Sequence, residues 1–85
     1  MTDYTLRPLR PDDYQVHYKG EAIGRIYADT LNSVTRFIWN IYINHNTQPV
    51  EGVQLKGYEL DLDQAKSRFR ESFENLIAAG AVRIK

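Results

Sequence analysis

The chain has 85 residues, in which eleven lysines and arginines balance eleven aspartates and glutamates, and cysteine is absent. This length predicts one domain, and the balanced charge gives no overall attraction to nucleic acid or to anionic membranes. The lack of cysteine excludes disulfides, zinc–thiolate sites and thiol nucleophiles. Together with the absence of an apolar leader or a run of ~18 apolar residues, it predicts a cytoplasmic protein without a membrane segment.

Residues 1–13 are predicted to form an extended arm or an edge strand. Pro8 and Pro11 lie in this segment, and proline lacks a backbone donor and restricts the residue before it. The strand interpretation falls on Tyr4 to Leu9. In the alternative, the arm folds back over the sheet and covers its outer face.

Residues 14–60 are predicted to form an antiparallel sheet that begins with a hairpin around Gly20. A two-residue loop would pair Lys19 with Ala22, whereas a three-residue loop ending at Gly20 would pair His17 with Glu21. A slip of one residue exchanges the two faces, and the first register would bury His17. We therefore favour the second, which leaves Ile23 as an exception on the outer face and assigns these residues to the core face: Tyr14, Val16, Ala22, Gly24 and Ile26.

The third strand is predicted at Arg36 to Asn44, after a polar loop at Asp29 to Thr35. Large β-branched and aromatic residues favour a strand here. Gly24 on the core face indicates a large ring packed over it, and Trp39 is the candidate. The alternation predicts one uniformly apolar core face, formed by Phe37, Trp39, Ile41 and Ile43, and one mixed face, formed by Ile38, Asn40, Tyr42 and Asn44.

A fourth strand is predicted after the turn-rich segment His45 to Gly52. Glycine within a strand pattern often marks a bulge, which shifts the alternation by one residue. A bulge at Gly57 would place on the core face all four apolar residues around it: Val53, Leu55, Tyr58 and Leu60.

The helix is predicted within residues 61–80, at Leu62 to Ala79. Asp61 is a suitable N-cap with Gln64 as its reciprocal partner, and Gly80 is a C-terminal stop. Residues 81–85 form a tail that is either a short strand or disordered. The element order predicts an α+β two-layer domain, with an antiparallel sheet of three or four strands packed on one long C-terminal helix. The helix presents apolar residues at steps of three and four: Leu62, Ala65, Phe69, Phe73, Leu76 and Ile77.

Four short motifs carry a resemblance to other proteins. They are "GRIY" from Gly24, "FIWNI" from Phe37, "GY" at Gly57 and a capped helix with Ala65 and Phe69. The chain resembles a group of small uncharacterised bacterial proteins, chiefly alpha-proteobacterial. That group has a GRI-type strand, an aromatic strand around a tryptophan, a glycine and a helix of the form "eeAxxxFxxxW". Phe73 stands where the group usually has the last tryptophan. The resemblance implies this fold and no known activity.

The order of strands followed by one helix is also similar to the arm-binding domains of integrases and to a class of plant DNA-binding domains. Those domains read DNA with the sheet. The similarity concerns topology alone, and a fold does not determine a function.

The titratable residues do not form a pattern that indicates catalysis. His17 and His45 have no carboxylate at a useful spacing, and two isolated histidines rarely make a metal site. Acidic residues beside Asp61 suit a helix start. We expect no catalytic residue, no cofactor and no metal, so the protein is predicted not to be an enzyme.

The outer face of the sheet is the candidate functional surface, because it is more aromatic and less charged than a solvated face. Such a surface indicates a protein-interaction or self-associating module. The alternative is a nucleic-acid-binding domain that uses the three-stranded sheet, although Arg25 is the single firm positive charge. A small-molecule role has the least support. The predicted interaction face consists of His17, Ile23, Arg25, Tyr27, Ile38, Asn40 and Tyr42.

Overall fold

One antiparallel sheet packs against one helix in the computed structural model, which describes residues 3–84. The prediction of an α+β domain with an antiparallel sheet and a C-terminal helix is confirmed, but the sheet has five strands rather than three or four. The strands pair in chain order, β1-β2-β3-β4-β5. Their bounds are Tyr4–Arg10 (β1), Asp13–Tyr18 (β2), Glu21–Leu31 (β3), Val34–Ile41 (β4) and Lys56–Glu59 (β5), and the helix α1 spans Leu62–Ala78.

The N-terminal segment forms the edge strand β1 and lies in the plane of the sheet. Tyr4 lies opposite Tyr18 and Leu6 opposite Val16, so pairing places two apolar side chains on the core face. Pro8 is tolerated because an edge strand leaves one row of backbone groups unpaired. The alternative in which this arm folds over the outer face is therefore wrong.

The β2–β3 hairpin has neither of the two predicted registers. Tyr18 pairs with Glu21 around a two-residue turn. Lys19 and Gly20 in this turn both have positive φ, 51° and 85°, as a type I′ turn requires. This turn matches the twist of the flanking strands, which explains why it replaces the predicted three-residue loop.

A β-bulge at Ile23 corrects the predicted faces of β3. His17 pairs with Ala22 and Val16 with Gly24, so Ile23 is the extra residue. The bulge turns the Ile23 side chain into the core, where it is 1% exposed, and moves Ala22 to the outer side. Ile23 was predicted on the outer face and Ala22 in the core, and both assignments are wrong.

The segment predicted as a loop, Asp29 to Thr35, instead closes a long hairpin. β3 continues to Leu31 and β4 begins at Val34. Asn32 and Ser33 form the turn with φ of 53° and 65°. Asparagine tolerates this conformation because its short polar side chain can bond locally. The apolar residues at the tip, Leu31 and Val34, remain exposed.

β5 is regular, and the predicted bulge at Gly57 is absent. Gly57 lies opposite Trp39, and a Cβ there would lie 3.1 Å from two indole carbons. The glycine therefore makes room for the ring. Regular alternation places Tyr58 on the outer face, with 57% exposure, and Leu60 is also exposed. Their predicted core positions are wrong, as is that of Ile43, which is exposed beyond the end of β4.

The helix begins at Leu62 as predicted and ends at Ala78, one residue before the predicted end at Ala79. Local signals fix both ends. The Asp61 carboxylate accepts the Gln64 N–H at 2.7 Å. Gly80 N–H donates to the Ile77 carbonyl at 2.9 Å and Ala81 N–H to the Leu76 carbonyl at 3.0 Å, the pattern of a Schellman motif.

Past the helix, the described part of the tail pairs with the loop that follows β4. Val82 forms an isolated bridge with Thr47, and Arg83 N–H donates to the Asn46 carbonyl at 2.7 Å. The last residue of the predicted tail, Lys85, lies outside the described residues. Among residues 3–84, no helix is long and apolar enough to cross a membrane.

The centre of the core is the contact between Phe69 and Gly24. A Cβ at Gly24 would lie closer than 3.0 Å to both the Phe69 ring and the Asn40 carbonyl oxygen. Trp39 packs edge-on to Phe69, with ring centroids 6.1 Å apart. The ring over Gly24 is thus Phe69 rather than the predicted Trp39. The buried apolar residues are Val16, Ile23, Ile26, Trp39, Ile41, Ala65, Phe69, Phe73, Leu76 and Ala81.

Gly24→Val is expected to lower the free energy of unfolding by ~1–3 kcal/mol through overpacking against Phe69 and the Asn40 carbonyl. Urea denaturation measures this loss. Ala22→Val, two positions earlier on the outer side of β3, is the control and should be nearly neutral. A stabilising effect of Gly24→Val would show that the β3 register is wrong.

Asp61→Ala is expected to cost ~0.5–2 kcal/mol of unfolding free energy, because it leaves an amide of the first helical turn without its acceptor. Asp63→Ala removes an exposed charge from the same turn and should cost much less. Thermal denaturation of both variants gives the comparison. Equal losses would mean that the charge near the helix start, and not the cap, supplies the stabilisation.

Candidate functional site

The outer face of the sheet is the face opposite α1. Residues that lie directly opposite each other on neighbouring antiparallel strands project to the same face. The register therefore arranges the outer face in cross-strand rows. The large side chains of these rows are half-buried among one another or exposed, and the described helix packs only on the core face.

One row is aromatic and apolar where it crosses β3, β4 and β5, and it continues on β2 with Asp13, which lies opposite Tyr27. Ile38 on β4 lies opposite Tyr27 on β3 and opposite Tyr58 on β5. We call these three residues the tyrosine row. Tyr42 follows β4 on the same side, and its N–H donates to the Ile23 carbonyl at 2.8 Å. The bulge at Ile23 thus anchors the backbone of an outer-face tyrosine.

The neighbouring row is polar and takes one residue from each strand. It contains no carboxylate. Its ends lie about 19 Å apart, because adjacent strands are separated by ~4.8 Å. We call it the basic row. Its members in strand order are Arg7, Gln15, Arg25, Asn40 and Lys56.

Two arginines lie over the tyrosines of the tyrosine row. The Arg25 guanidinium carbon is 4.3 Å from the centroid of the Tyr27 ring, and that of Arg36 is 5.0 Å from the Tyr58 ring. Both distances suit cation–π attraction. The rings and the guanidinium groups hold one another in place on this face.

Asp13 fixes Arg25 through a bidentate ion pair. Arg25 Nε and Nη2 donate to the two carboxylate oxygens of Asp13, each at 2.8 Å. Arg10 approaches the same carboxylate, with Nε 3.5 Å from Oδ2. The Asp13 side chain is only 7% exposed, so the pair is partly desolvated and its geometry is defined.

The ion pair shifts the titration of both partners. Hydrogen bonds from Arg25 hold the pKa of the Asp13 carboxyl below its ordinary value, although burial opposes this shift. The same hydrogen bonds raise the pKa of Arg25, against the effect of burial. Both groups therefore stay charged at neutral pH, and Asp13 compensates the charge of Arg25.

The outer face is more basic than the chain as a whole. Five basic residues and two carboxylates lie on this face or at its rim. The face therefore has a net charge of +3, whereas the net charge of the chain is zero. Arg36 is paired with Asp29, with Nη2 3.3 Å from Oδ2. The five basic residues are Arg7, Arg10, Arg25, Arg36 and Lys56, and the carboxylates are Asp13 and Asp29.

The histidines are not brought together with a carboxylate. His17 Nε2 lies 2.8 Å from Gln15 Oε1, and Nδ1 lies 3.5 Å from the Gly20 carbonyl oxygen. His45 is exposed in the loop after β4. Over residues 3–84, no three histidines or acidic residues are placed to hold a metal ion.

The structure brings together six of the seven residues predicted for the interaction face and removes Ile23. It adds residues that sequence reasoning missed, chiefly Arg36 and Tyr58. Tyr58 was missed because Gly57 was interpreted as a bulge, although simple alternation would have placed it outside. The six predicted residues on the outer face are His17, Arg25, Tyr27, Ile38, Asn40 and Tyr42.

Comparison of the chain with protein-family models, curated proteins and solved structures gave no match. The resemblance to small alpha-proteobacterial proteins therefore stays a prediction.

Asp13→Asn is expected to lower the free energy of unfolding at pH 7 by ~1.5–3 kcal/mol, because it removes the charged acceptor of Arg25. The folded-state pKa of Asp13 lies below its unfolded value of ~3.9. Its contribution is therefore present above that value and is lost as the pH falls through the folded-state pKa. The difference between the wild type and Asp13→Asn should be constant near neutral pH and shrink below about pH 4.

Asp29→Asn is the matched control for this measurement, because Asp29 forms the more exposed pair with Arg36. It should cost less than ~1 kcal/mol. Equal losses for the two variants would contradict a special role for the Asp13–Arg25 pair.

Proposed function

We propose that the protein is a non-catalytic interaction module that binds an acidic protein surface through the outer face of its sheet. The observation that carries the proposal is the tyrosine row. It places Tyr27, Ile38 and Tyr58 side by side, with one arginine over the ring of each tyrosine. The absence of cysteine from the chain is consistent with action in a reducing compartment such as the cytoplasm.

The composition and order of this face suit an interface centre. Tyrosine and arginine are enriched among the residues that contribute most to binding between proteins. Arg25 is already held by Asp13 and Tyr27, so it loses little freedom when a partner binds. A surface ordered in advance binds more tightly because less side-chain entropy is lost on association.

The charge of the face favours a different protein over a second copy. Two copies stacked face to face would bring together two surfaces of net charge +3, as counted above, and like charges across an interface cost affinity. A partner that presents carboxylates around an apolar centre would complement both the basic row and the tyrosine row. Self-association, in which the same face binds a second copy of the chain, is the alternative to binding a different protein.

A nucleic-acid-binding domain is the second candidate, favoured by the basic row, which crosses all five strands without a carboxylate. Aromatic rings beside basic residues are typical of surfaces that bind single strands. However, Asp13 compensates Arg25 and Asp29 compensates Arg36. Among residues 3–84, no salt bridge is found for the other two cations of this face, Arg7 and Lys56, which lie at opposite edges, whereas phosphate binding needs several adjacent charges.

The double variant Tyr42→Ser/Tyr58→Ser tests the proposed function. It should keep the circular dichroism and most of the stability of the wild type, because Tyr58 is 57% exposed. When immobilised, it should fail to retain a partner protein that the immobilised wild type retains from a native extract. Binding of that partner, once purified, should weaken at least ~30-fold by calorimetry, since loss of an aromatic anchor costs ~2 kcal/mol or more.

Arg68→Gln on the exposed face of α1 is the control and should bind the partner as the wild type does. Retention of the partner by the tyrosine double variant would contradict the proposal. If sedimentation shows a concentration-dependent dimer that the same variant abolishes, the partner is a second copy of the chain and not a different protein. Retention of an oligonucleotide at ~0.15 M salt, lost on Arg25→Ala, would favour the nucleic-acid alternative.

A further inference from the structure

A cleft of about 280 Å³ opens on the core side of the sheet, between β1 and α1. It is separate from the outer face and takes no part in the proposed protein interaction. Its walls include Leu6 from the edge strand, Val16 and Ile26 from the sheet, and Phe69 from the helix.

The cleft exists because the helix does not cover the whole sheet. α1 packs chiefly against β4 and β5, with Phe69 seated on Gly24 of β3. The side of the sheet formed by β1 and β2 is therefore left partly open. Tyr4 closes one end, because its hydroxyl donates to the Glu74 carboxylate at 2.5 Å and its ring packs edge-on to Phe73.

The floor of the cleft is apolar. Val16, Ile26 and Phe69 are 3%, 1% and 2% exposed, so these side chains belong to the buried core and offer no hydrogen-bonding groups. Leu6 is half-buried and forms the wall on the side of β1. An apolar group that entered the cleft would exchange contact with water for contact with Leu6 and with the small exposed part of Val16, Ile26 and Phe69.

The mouth of the cleft is positively charged. Lys66 and Arg70 line it from successive turns of the helix, whereas the Glu74 carboxylate lies at the end closed by Tyr4, where it accepts the Tyr4 hydroxyl. The Arg70 guanidinium lies 5.2 Å from the centroid of the Tyr4 ring. Lys66 Nζ is 3.4 Å from Asp63 Oδ1, but the Asp63 side chain is 92% exposed, and such surface pairs are weak. An anionic group at the mouth would therefore meet two cations.

We propose that this cleft binds a small amphipathic anion, with an apolar chain or ring system of about ten non-hydrogen atoms and one carboxylate head. The apolar part lies against Leu6, Val16 and Phe69. The carboxylate lies between the charged ends of Lys66 and Arg70, where planar donors of arginine match it.

Titration with decanoate tests the proposal, with decanol as the uncharged probe and decylammonium as the cationic one. Amide and methyl chemical shifts of the full chain report binding. Decanoate should give saturable shifts that are largest at Leu6, Val16 and Ile26. Decanol should bind at least tenfold more weakly, and decylammonium more weakly still, because each lacks the charge that the two helix cations attract.

The double variant Lys66→Gln/Arg70→Gln should weaken decanoate binding at least tenfold and leave decanol binding unchanged. Both residues are exposed, so the fold should persist. Arg68→Gln, on the same helix but outside the cleft, is the control and should bind decanoate as the wild type does. Leu6→Trp should fill the cleft and block both probes.

Three outcomes would overturn the proposal. Decanoate shifts that do not saturate, or that spread over the surface, would show that the cleft is not a site. Equal affinity for decanoate and decanol would show that Lys66 and Arg70 do not favour an anionic ligand. An unchanged affinity of the double variant for decanoate would show the same. Loss of partner binding by the outer-face tyrosine variant leaves these results unaffected, so the two proposals fail independently.

Discussion

The close approach of Phe69 to the backbone of Gly24 sets the distance between the helix and the sheet. A side chain at position 24 would collide with both the ring and the carbonyl oxygen of the neighbouring strand, so the helix reaches its position only because that residue is glycine. Trp39 lies beside Phe69 and occupies the space left by Gly57. The bulge at Ile23 adds one more apolar side chain to the same layer. Two glycines and one bulge thus adapt a regular sheet to a single aromatic helix face.

A single helix is narrower than this sheet and packs on one face of it, and the two candidate sites follow from these two facts. An α-helix with its side chains is about 10 Å wide, whereas five strands extend about 19 Å between the outer backbones. The helix therefore leaves the β1 side of the core face partly uncovered, where the cleft opens. Within residues 3–84, no element packs on the opposite face, where the tyrosine and basic rows lie. Residues 3–84 contain no second helix that could cover either region.

Local signals predicted the helix and the faces of β4 correctly, whereas features that depend on distant partners were missed. Asp61 and Gly80 act on their own neighbours, so the helix ends could be inferred from sequence. Gly57 was misinterpreted because the reason for it is Trp39, a residue of another strand. The bulge at Ile23 likewise depends on the core that receives it. Six of the seven residues predicted for the interaction face lie on the outer side of the sheet, because alternation alone separates them from the core. Tyr58 was missed because Gly57 was interpreted as a bulge.

The edges of the sheet give a further reason why association should use its outer face. Strand edges are the usual route by which one sheet joins another. Here β1 carries Pro8 and a break in register before Arg10, and β5 is only four residues long. Proline, irregular pairing, charge and short length all hinder the addition of a further strand. Backbone pairing is therefore disfavoured at both edges. What remains for a partner is contact through side chains, and on the outer face those side chains are tyrosines that two arginines already hold in position.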